Sequence, residues 1–256
     1  MKTNLLYIKK IFFLVCLLSI ACCVFAQEEA LKEAETVYTQ EDYTKAIELY
    51  REILTTYGES AEVYYNLGNA YYKAGKIAPA VLYYERALLI DPGDADIRFN
   101  LEMARQKTVD KIEPIGDFFL VKWFDAVQNR GAADSWARLG IICFLAFIVC
   151  LLLFFFSRWT YMRKLGFYSG LVFLVLVVAT NIFAGNQKRE MVNHTAAIVF
   201  SPTVTVKSSP NQSGTDLFIL HEGTKVSIRN TLGEWYEIEL EDGNVGWMPA
   251  KDIEII

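Results

Sequence analysis

The spacing of hydrophobic residues divides the chain into three regions of different predicted structure. Over 27–110, apolar residues recur at helical spacing. Two apolar runs follow, with 19 uncharged residues over 139–157 and 23 over 165–187. Over 195–256, short alternating runs are separated by turn signals. The pattern predicts a multi-domain chain with an all-α region, a two-helix transmembrane hairpin and a small all-β barrel.

The helical region contains an internal repeat of 34 residues, in which Ala46 aligns with Ala80 and Tyr50 with Tyr84. Residues 61–94 resemble the tetratricopeptide repeat (TPR) family and match its pattern at nine positions. These positions are Tyr64, Leu67, Gly68, Tyr71, Gly75, Ala80, Tyr84, Ala87 and Pro92. The resemblance implies stacked helix pairs, so 27–110 is expected to form a short TPR solenoid of about five helices.

The TPR resemblance also implies a groove, lined by the first helix of each repeat, that holds a peptide of a protein partner. The candidate partner-binding residues on this face are Tyr65, Asn66, Asn69, Tyr72, Lys73, Phe99, Asn100 and Met103. Asn66 and Asn100 fall where the family often hydrogen-bonds a bound backbone. The alternative, that these are consensus scaffold residues without a ligand, stays open.

The strand-rich region 195–256 resembles the bacterial SH3 (SH3b) family across its length. The resemblance rests on the segments 204–210, 220–226, 233–238 and 242–248. It implies a small SH3-like barrel and says little about function, since one fold serves many functions. Lys207 stands where the family usually has Arg. Trp235 and Trp247 are a candidate ligand platform, with buried core aromatics as the alternative.

Residues 1–26 are predicted to be a signal peptide, because a basic start precedes an apolar core and a cleavage motif before Gln27. An uncleaved anchor helix and a lipoprotein cut before Cys22 are the alternatives. All three send the following chain out of the cytoplasm.

The apolar runs are predicted to form transmembrane helices over 137–157 and 165–186, because about 20 helical residues cross a hydrocarbon core of about 30 Å. The loop 158–164 is basic and is therefore predicted to be cytoplasmic, which places both soluble domains on the other side. Residues 111–136 carry aromatic residues at helical spacing and are predicted to be a juxtamembrane amphipathic segment. This segment either lies on the membrane or packs onto the last repeat helix.

The charge balance and the reactive residues of the sequence exclude several classes of function. The soluble regions are acidic, with 10 basic and 17 acidic residues over 27–114 and 6 and 10 over 188–256, which argues against nucleic-acid binding. The five cysteines lie in apolar segments, and no known catalytic motif occurs. We therefore expect neither an enzyme nor a metal or cofactor site. Cys143 and Cys150 are interpreted as packing residues, with a metal or redox pair as the alternative.

The order signal peptide, TPR, membrane hairpin and SH3b resembles the BatE-like proteins of the Bacteroides aerotolerance (Bat) operon. The resemblance implies a scaffold in the bacterial inner (cytoplasmic) membrane, with both soluble domains periplasmic and a role in envelope stress or aerotolerance. It also implies protein partners, namely other Bat membrane proteins with von Willebrand factor A domains. The alternative function is a cell-wall sensor whose SH3b domain binds peptidoglycan.

Overall fold

The computed structural model describes residues 25–113, 116, 118–193 and 195–256. The predicted signal peptide thus falls almost entirely outside the described residues and stays a prediction. Within the described residues, the region before the hairpin begins with five helices, each packed on the next along the chain from α2 onward. They are α1 (25–39), α2 (Tyr43–Tyr57), α3 (Ala61–Lys73), α4 (Ile77–Ile90) and α5 (Ala95–Arg105).

Small residues allow α3 and α4 to approach closely. A Cβ atom on Gly68 would lie 2.7 Å from the ring of Tyr84, and Ala80 is fully buried. Leu67 fills the same core with no exposed surface. At the next helix, the Asp94 carboxylate accepts two backbone hydrogen bonds from the first turn of α5 and so fixes where that helix begins.

Three helices follow in the middle of the chain: α6 (Phe119–Gln128), α7 (Ala133–Phe156) and α8 (Thr160–Asn193). Helices α7 and α8 are long and apolar enough to cross a membrane, and they pack against each other as a hairpin. A Cβ atom on Gly166 would lie 2.7 Å from the Cys150 carbonyl oxygen, so the missing side chain permits close contact. Cys143 and Cys150 are both buried, as expected for packing residues.

Buried amides tie the far end of α8 to the connection between α6 and α7. The Gln187 side-chain amide donates to the carbonyl oxygens of Gln128 and Gly131, at 2.9 Å each. The Trp136 indole N–H donates to the same Gln128 carbonyl at 2.8 Å. Helix α6 also contacts α8 through Phe124 and Phe183, whose ring centroids are 5.1 Å apart. Helix α6 and its connection to α7 are therefore held to α8 by hydrogen bonds and by ring packing.

The C-terminal domain is a seven-stranded antiparallel sheet with the strand order β3-β2-β6-β5-β4-β1-β7. The strands are β1 (Ala196–Val199), β2 (Thr203–Lys207), β3 (Asp216–His221), β4 (Lys225–Leu232), β5 (Trp235–Glu239), β6 (Val245–Pro249) and β7 (Ile253–Ile255). Its core contains Val206, Ile238 and Met248, all fully buried. The predicted fold class, with a helical TPR-like region, two apolar helices and a small all-β domain, is confirmed.

The sheet domain packs against α4, the second helix of the best-matching repeat. Ile198 of β1 and the C-terminal Ile256 are buried in the same apolar cluster as the helical core. The Arg86 guanidinium on α4 donates to the carbonyl of Ile255 at 2.5 Å. The two soluble domains therefore share part of one hydrophobic core.

Candidate functional site

The predicted groove residues of α3 and α5 meet in a hydrogen-bonded network. The Asn100 amide donates to the Tyr65 hydroxyl at 3.0 Å and to the Asn69 side-chain oxygen at 2.8 Å. The Tyr84 hydroxyl, rising from α4 beneath them, donates to the same Asn69 oxygen at 2.7 Å. Because the amides are held by partners on three helices, their remaining polar atoms have fixed directions. A fixed polar surface favours binding, since little side-chain freedom is lost when a ligand arrives.

Other predicted residues leave apolar surface exposed beside this network. Phe99 is 65% exposed and Met103 is 40% exposed on α5. Tyr72 is half-buried, and the Lys107 ammonium lies 5.9 Å from its ring centroid. Lys73 is exposed at the end of α3. Together they give the groove aromatic and aliphatic surface next to hydrogen-bonding groups.

The two asparagines predicted to bind a peptide backbone have different surroundings. The Asn100 amide is engaged by the network, whereas the half-buried Asn66 side chain makes no hydrogen bond within the described part of the chain. Asn100 is engaged because α5 lies beside α3, so that its amide meets polar side chains of α3. Asn66 is therefore the amide whose polar atoms are free to pair with a ligand.

Tyrosine electrostatics link further side chains to the groove. Burial raises the pKa of Tyr84, and the neighbouring Tyr65 and Tyr38 raise it further. Burial also raises the pKa of Tyr38, with smaller effects from Tyr43 and Tyr65. The raised pKa keeps the Tyr84 hydroxyl neutral at physiological pH, as its donated hydrogen bond to Asn69 requires. Sequence reasoning missed Tyr38, which brings α1 close to the groove.

A buried carboxylate joins the two soluble domains on the side of α4. Glu85 is 6% exposed and accepts hydrogen bonds from Arg105 of α5 and, at 2.7 Å, from Lys225 of β4. Burial raises the pKa of Glu85, but the charges and hydrogen bonds of Lys225 and Arg105 lower it by more, so the net shift is downward. Sequence reasoning missed this site, because its partners lie far apart in the chain.

A second contact between the domains is centred on Asp110, just after α5. Its carboxylate accepts from the His221 backbone N–H at 2.7 Å and from the Thr224 hydroxyl at 2.6 Å, and it lies 2.8 Å from His221 Nδ1. Burial raises the pKa of Asp110, but these hydrogen bonds lower it more. A Cβ atom on Gly223 would lie 2.7 Å from a methyl of Thr108, so the turn needs glycine there. His221 therefore lies at this interface.

The tryptophans of the SH3b region lie on the face of the sheet away from its core. In β5, Tyr236 and Ile238 face the core, and Trp235 alternates with them. In β6, Met248 faces the core and Trp247 alternates with it. Both tryptophans are half-buried and neither belongs to the core cluster. The arrangement leaves both indoles on one face, where a ligand could reach them.

Helix α6 leaves an apolar stripe uncovered next to the hairpin. Phe118, Phe119 and Trp123 are 64%, 67% and 64% exposed, whereas Phe124 contacts α8.

Among the described residues, no group of three His, Cys, Asp or Glu side chains is placed to hold a metal ion.

Comparison with known proteins supports two of these regions. The family profile "Tetratricopeptide repeat" matches residues 61–94, and the profile "Bacterial SH3 domain" matches residues 202–254. The chain combines a tetratricopeptide repeat with a bacterial SH3 domain. A solved structure titled "Crystal structure of MamA" is 18% identical, with a TM-score of 0.28, and the match covers 61% of this chain and 95% of that one. No curated protein matches the chain.

Proposed function

We propose that this protein is a non-catalytic membrane scaffold whose TPR groove binds an extended segment of a protein partner. The observation that carries the proposal is the groove itself. Fixed amides and hydroxyls of Tyr65, Asn69 and Asn100 lie beside the exposed side chains of Phe99 and Met103. TPR and SH3b domains are typically interaction domains without catalysis, which supports the same function.

The chemistry of the groove fits a peptide in an extended conformation. An asparagine side chain offers an NH2 donor group and a carbonyl acceptor, which can pair with the C=O and N–H of a peptide backbone. Within the described residues, neither polar atom of the Asn66 side chain is hydrogen-bonded, and Asn69 keeps donor capacity on its amide nitrogen. Phe99 and Met103 provide apolar surface for a partner side chain, and such anchors supply much of the affinity of an interface. The SH3b domain packs on α4 and leaves these groove residues exposed.

The proposed location is the bacterial inner membrane, with both soluble domains in the periplasm. The two apolar helices support membrane insertion, and the basic connection between them supports a cytoplasmic loop. The exposed stripe of α6 supports a position at the membrane surface, where aromatic side chains are favoured. The proposed partners, Bat membrane proteins with von Willebrand factor A domains, follow from the order of domains alone.

The test of the groove uses substitutions that spare the fold. Phe99→Ala with Met103→Ala removes exposed apolar surface, so the helices should remain stable. The control is Glu48→Ala with Glu52→Ala, because both glutamates are exposed on α2, outside the predicted groove. Pull-down of the tagged full chain in mild detergent should lose its partners with the first pair and keep them with the control.

A second groove variant removes polar recognition. Tyr65→Ala with Asn69→Ala should also release the partners, although it leaves the Tyr84 hydroxyl without its acceptor and therefore needs a thermal-unfolding check. If both groove variants are folded and keep every partner, the groove proposal is wrong.

Peptidoglycan binding by the SH3b domain is the second candidate function, and the outward position of Trp235 and Trp247 favours it. Half-buried aromatic rings on one side of a sheet can stack against sugar rings. The test is co-sedimentation of the detergent-solubilised full chain with purified sacculi, comparing wild type with Trp235→Ala and Trp247→Ala. The full chain is needed because an isolated SH3b domain would expose Ile198 and Ile256. Absence of sedimentation above a detergent-only control would refute this function.

A further inference from the structure

A cavity of about 290 Å³ lies where the hairpin turns from α7 into α8. Its walls combine aromatic rings, two cationic side chains and two hydroxyls. The lining residues are Phe154, Thr160, Arg163, Lys164, Phe167 and Tyr168. A site of this composition has charged donors at one part of its wall and apolar surface at another.

Among the described residues, no carboxylate forms an ion pair with the cations of this cavity. No Asp or Glu occurs in the sequence between Asp134 and Glu190. Within the described residues, Arg163 and Lys164 take part in none of the ion pairs. The Arg163 guanidinium instead lies 5.7 Å from the ring centroid of Phe154. Arg163 and Lys164 are both exposed, so in the proposed membrane an anion at the bilayer surface can pair with both charges.

The surroundings indicate the form in which that anion arrives. Phe155 and Phe156, at the end of α7, are 71% and 80% exposed, and Tyr168 on α8 is 65% exposed. This apolar surface continues from the cavity along the hairpin. A small soluble anion would neutralise the cations but leave the aromatic surface in water. A molecule with an anionic head and apolar chains covers both.

We propose that this cavity binds the headgroup of an anionic phospholipid, an inference that rests on the proposed insertion of α7 and α8 into a membrane. Arg163 offers paired N–H donors to phosphate oxygens, and Lys164 adds a second charge. The hydroxyls of Thr160 and Tyr168 are available as further donors, and Phe154 contacts the start of an acyl chain. The site functions in this way whichever side of the membrane it faces.

The experiment measures lipid binding to the full chain in a neutral detergent by native mass spectrometry. Phosphatidylglycerol is the probe and phosphatidylcholine is the zwitterionic comparison. Arg163→Gln with Lys164→Gln should weaken phosphatidylglycerol binding about 30-fold, which corresponds to about 1 kcal/mol for each basic residue near an anionic lipid surface. Arg163→Lys with Lys164→Arg keeps both charges and should retain most of the binding.

Lys188 and Arg189 provide a matched control at the opposite end of α8. They are also adjacent and basic, but Arg189 lines its cavity with Asp125 and Glu190, which supply negative charge. Lys188→Gln with Arg189→Gln should therefore change phosphatidylglycerol binding less than about 3-fold.

Three outcomes would overturn the proposal. One is equal binding of phosphatidylglycerol and phosphatidylcholine by wild type, and another is an equal loss in both double variants. The third is complete competition by excess inorganic phosphate, which would make the cavity a site for a free anion. Failure of membrane insertion is a separate result, because the wild-type chain would then be extracted from membranes by alkaline carbonate.

Discussion

Replacing Glu85 by Gln should loosen the contact between the TPR and SH3b domains. The substitution keeps the side-chain volume but removes the negative charge that Arg105 and Lys225 share. A hydrogen bond to a charged group contributes about 1.5–3 kcal/mol, and the amide oxygen of Gln can still accept one. The two cations keep about a third of their side-chain surface exposed and regain water when the pair is broken. We therefore expect a cost of about 2 kcal/mol, below that of a fully buried pair.

Hydrogen exchange of the full chain in detergent measures this cost where it acts. If β1 exchanges when the SH3b domain leaves α4, a loss of about 2 kcal/mol raises its exchange rate about 30-fold. A double-mutant cycle with Lys225→Gln should give a coupling energy of about 1 kcal/mol. Glu239→Gln is the control, because it breaks an exposed pair with Arg229 inside the SH3b domain. In the Glu239→Gln variant, β1 should exchange as in wild type.

The pH dependence gives an independent reading of the same contact. The pKa of Glu85 in the folded protein lies below its usual 4.5. A lowered pKa contributes stability that is fully present above the unfolded value and is lost as the pH falls through the folded value. After correction for the intrinsic exchange rate at each pH, the protection of β1 in wild type should therefore fall below about pH 4.5, and Glu85→Gln should lack that part of the fall. The reasoning would be refuted if β1 of Glu85→Gln exchanged at the wild-type rate at neutral pH.

The remaining predictions concern glycines and the groove. Gly223→Ala should separate the domains more than Gly233→Ala, because both have positive φ but only the first would place a Cβ against a neighbour; exchange of β1 in the two variants measures the difference. Gly166→Ala should lower the thermal stability of the hairpin in detergent, whereas Gly185→Ala, with open space at its Cβ, should not. Tyr84→Phe removes the hydroxyl that donates into the groove and should cost about 1 kcal/mol in chemical unfolding. Equal values within either glycine pair, or an unchanged Tyr84→Phe, would contradict the packing described.

The sequence predicts each domain well because each leaves a periodic pattern. The close contact at Gly68 and Tyr84 is part of the TPR pattern, and the alternation around Trp235 and Ile238 is part of the strand pattern. The strand pattern places Trp235 and Ile238 on opposite faces but does not say which face is the core. That choice depends on how the sheet curves, which brings Ile238 inside.

The contacts between the two domains have no periodic signature in the sequence. Glu85 occupies a buried position of α4, but a carboxylate is compatible with that position only because Lys225 arrives from a domain 140 residues later. Asp110 and His221 are likewise ordinary polar residues until the two domains meet. The polar network of the groove was predictable as a set of residues but not as a set of bonds. It depends on the distance between α3 and α5, which follows from the packing of whole helices.

In the proposed membrane orientation, the continuous helix α8 determines how far from the bilayer the groove is held. Its 34 residues correspond to about 51 Å, and the 23 uncharged residues account for about 35 Å of that length. The helix ends at Asn193 and β1 begins at Ala196, so no long tether separates the membrane from the SH3b domain. Because the SH3b domain also packs on α4, a tilt of α8 would displace the groove together with that domain. If the proposed scaffold function holds, the protein would favour partner segments that emerge at one fixed distance from the membrane.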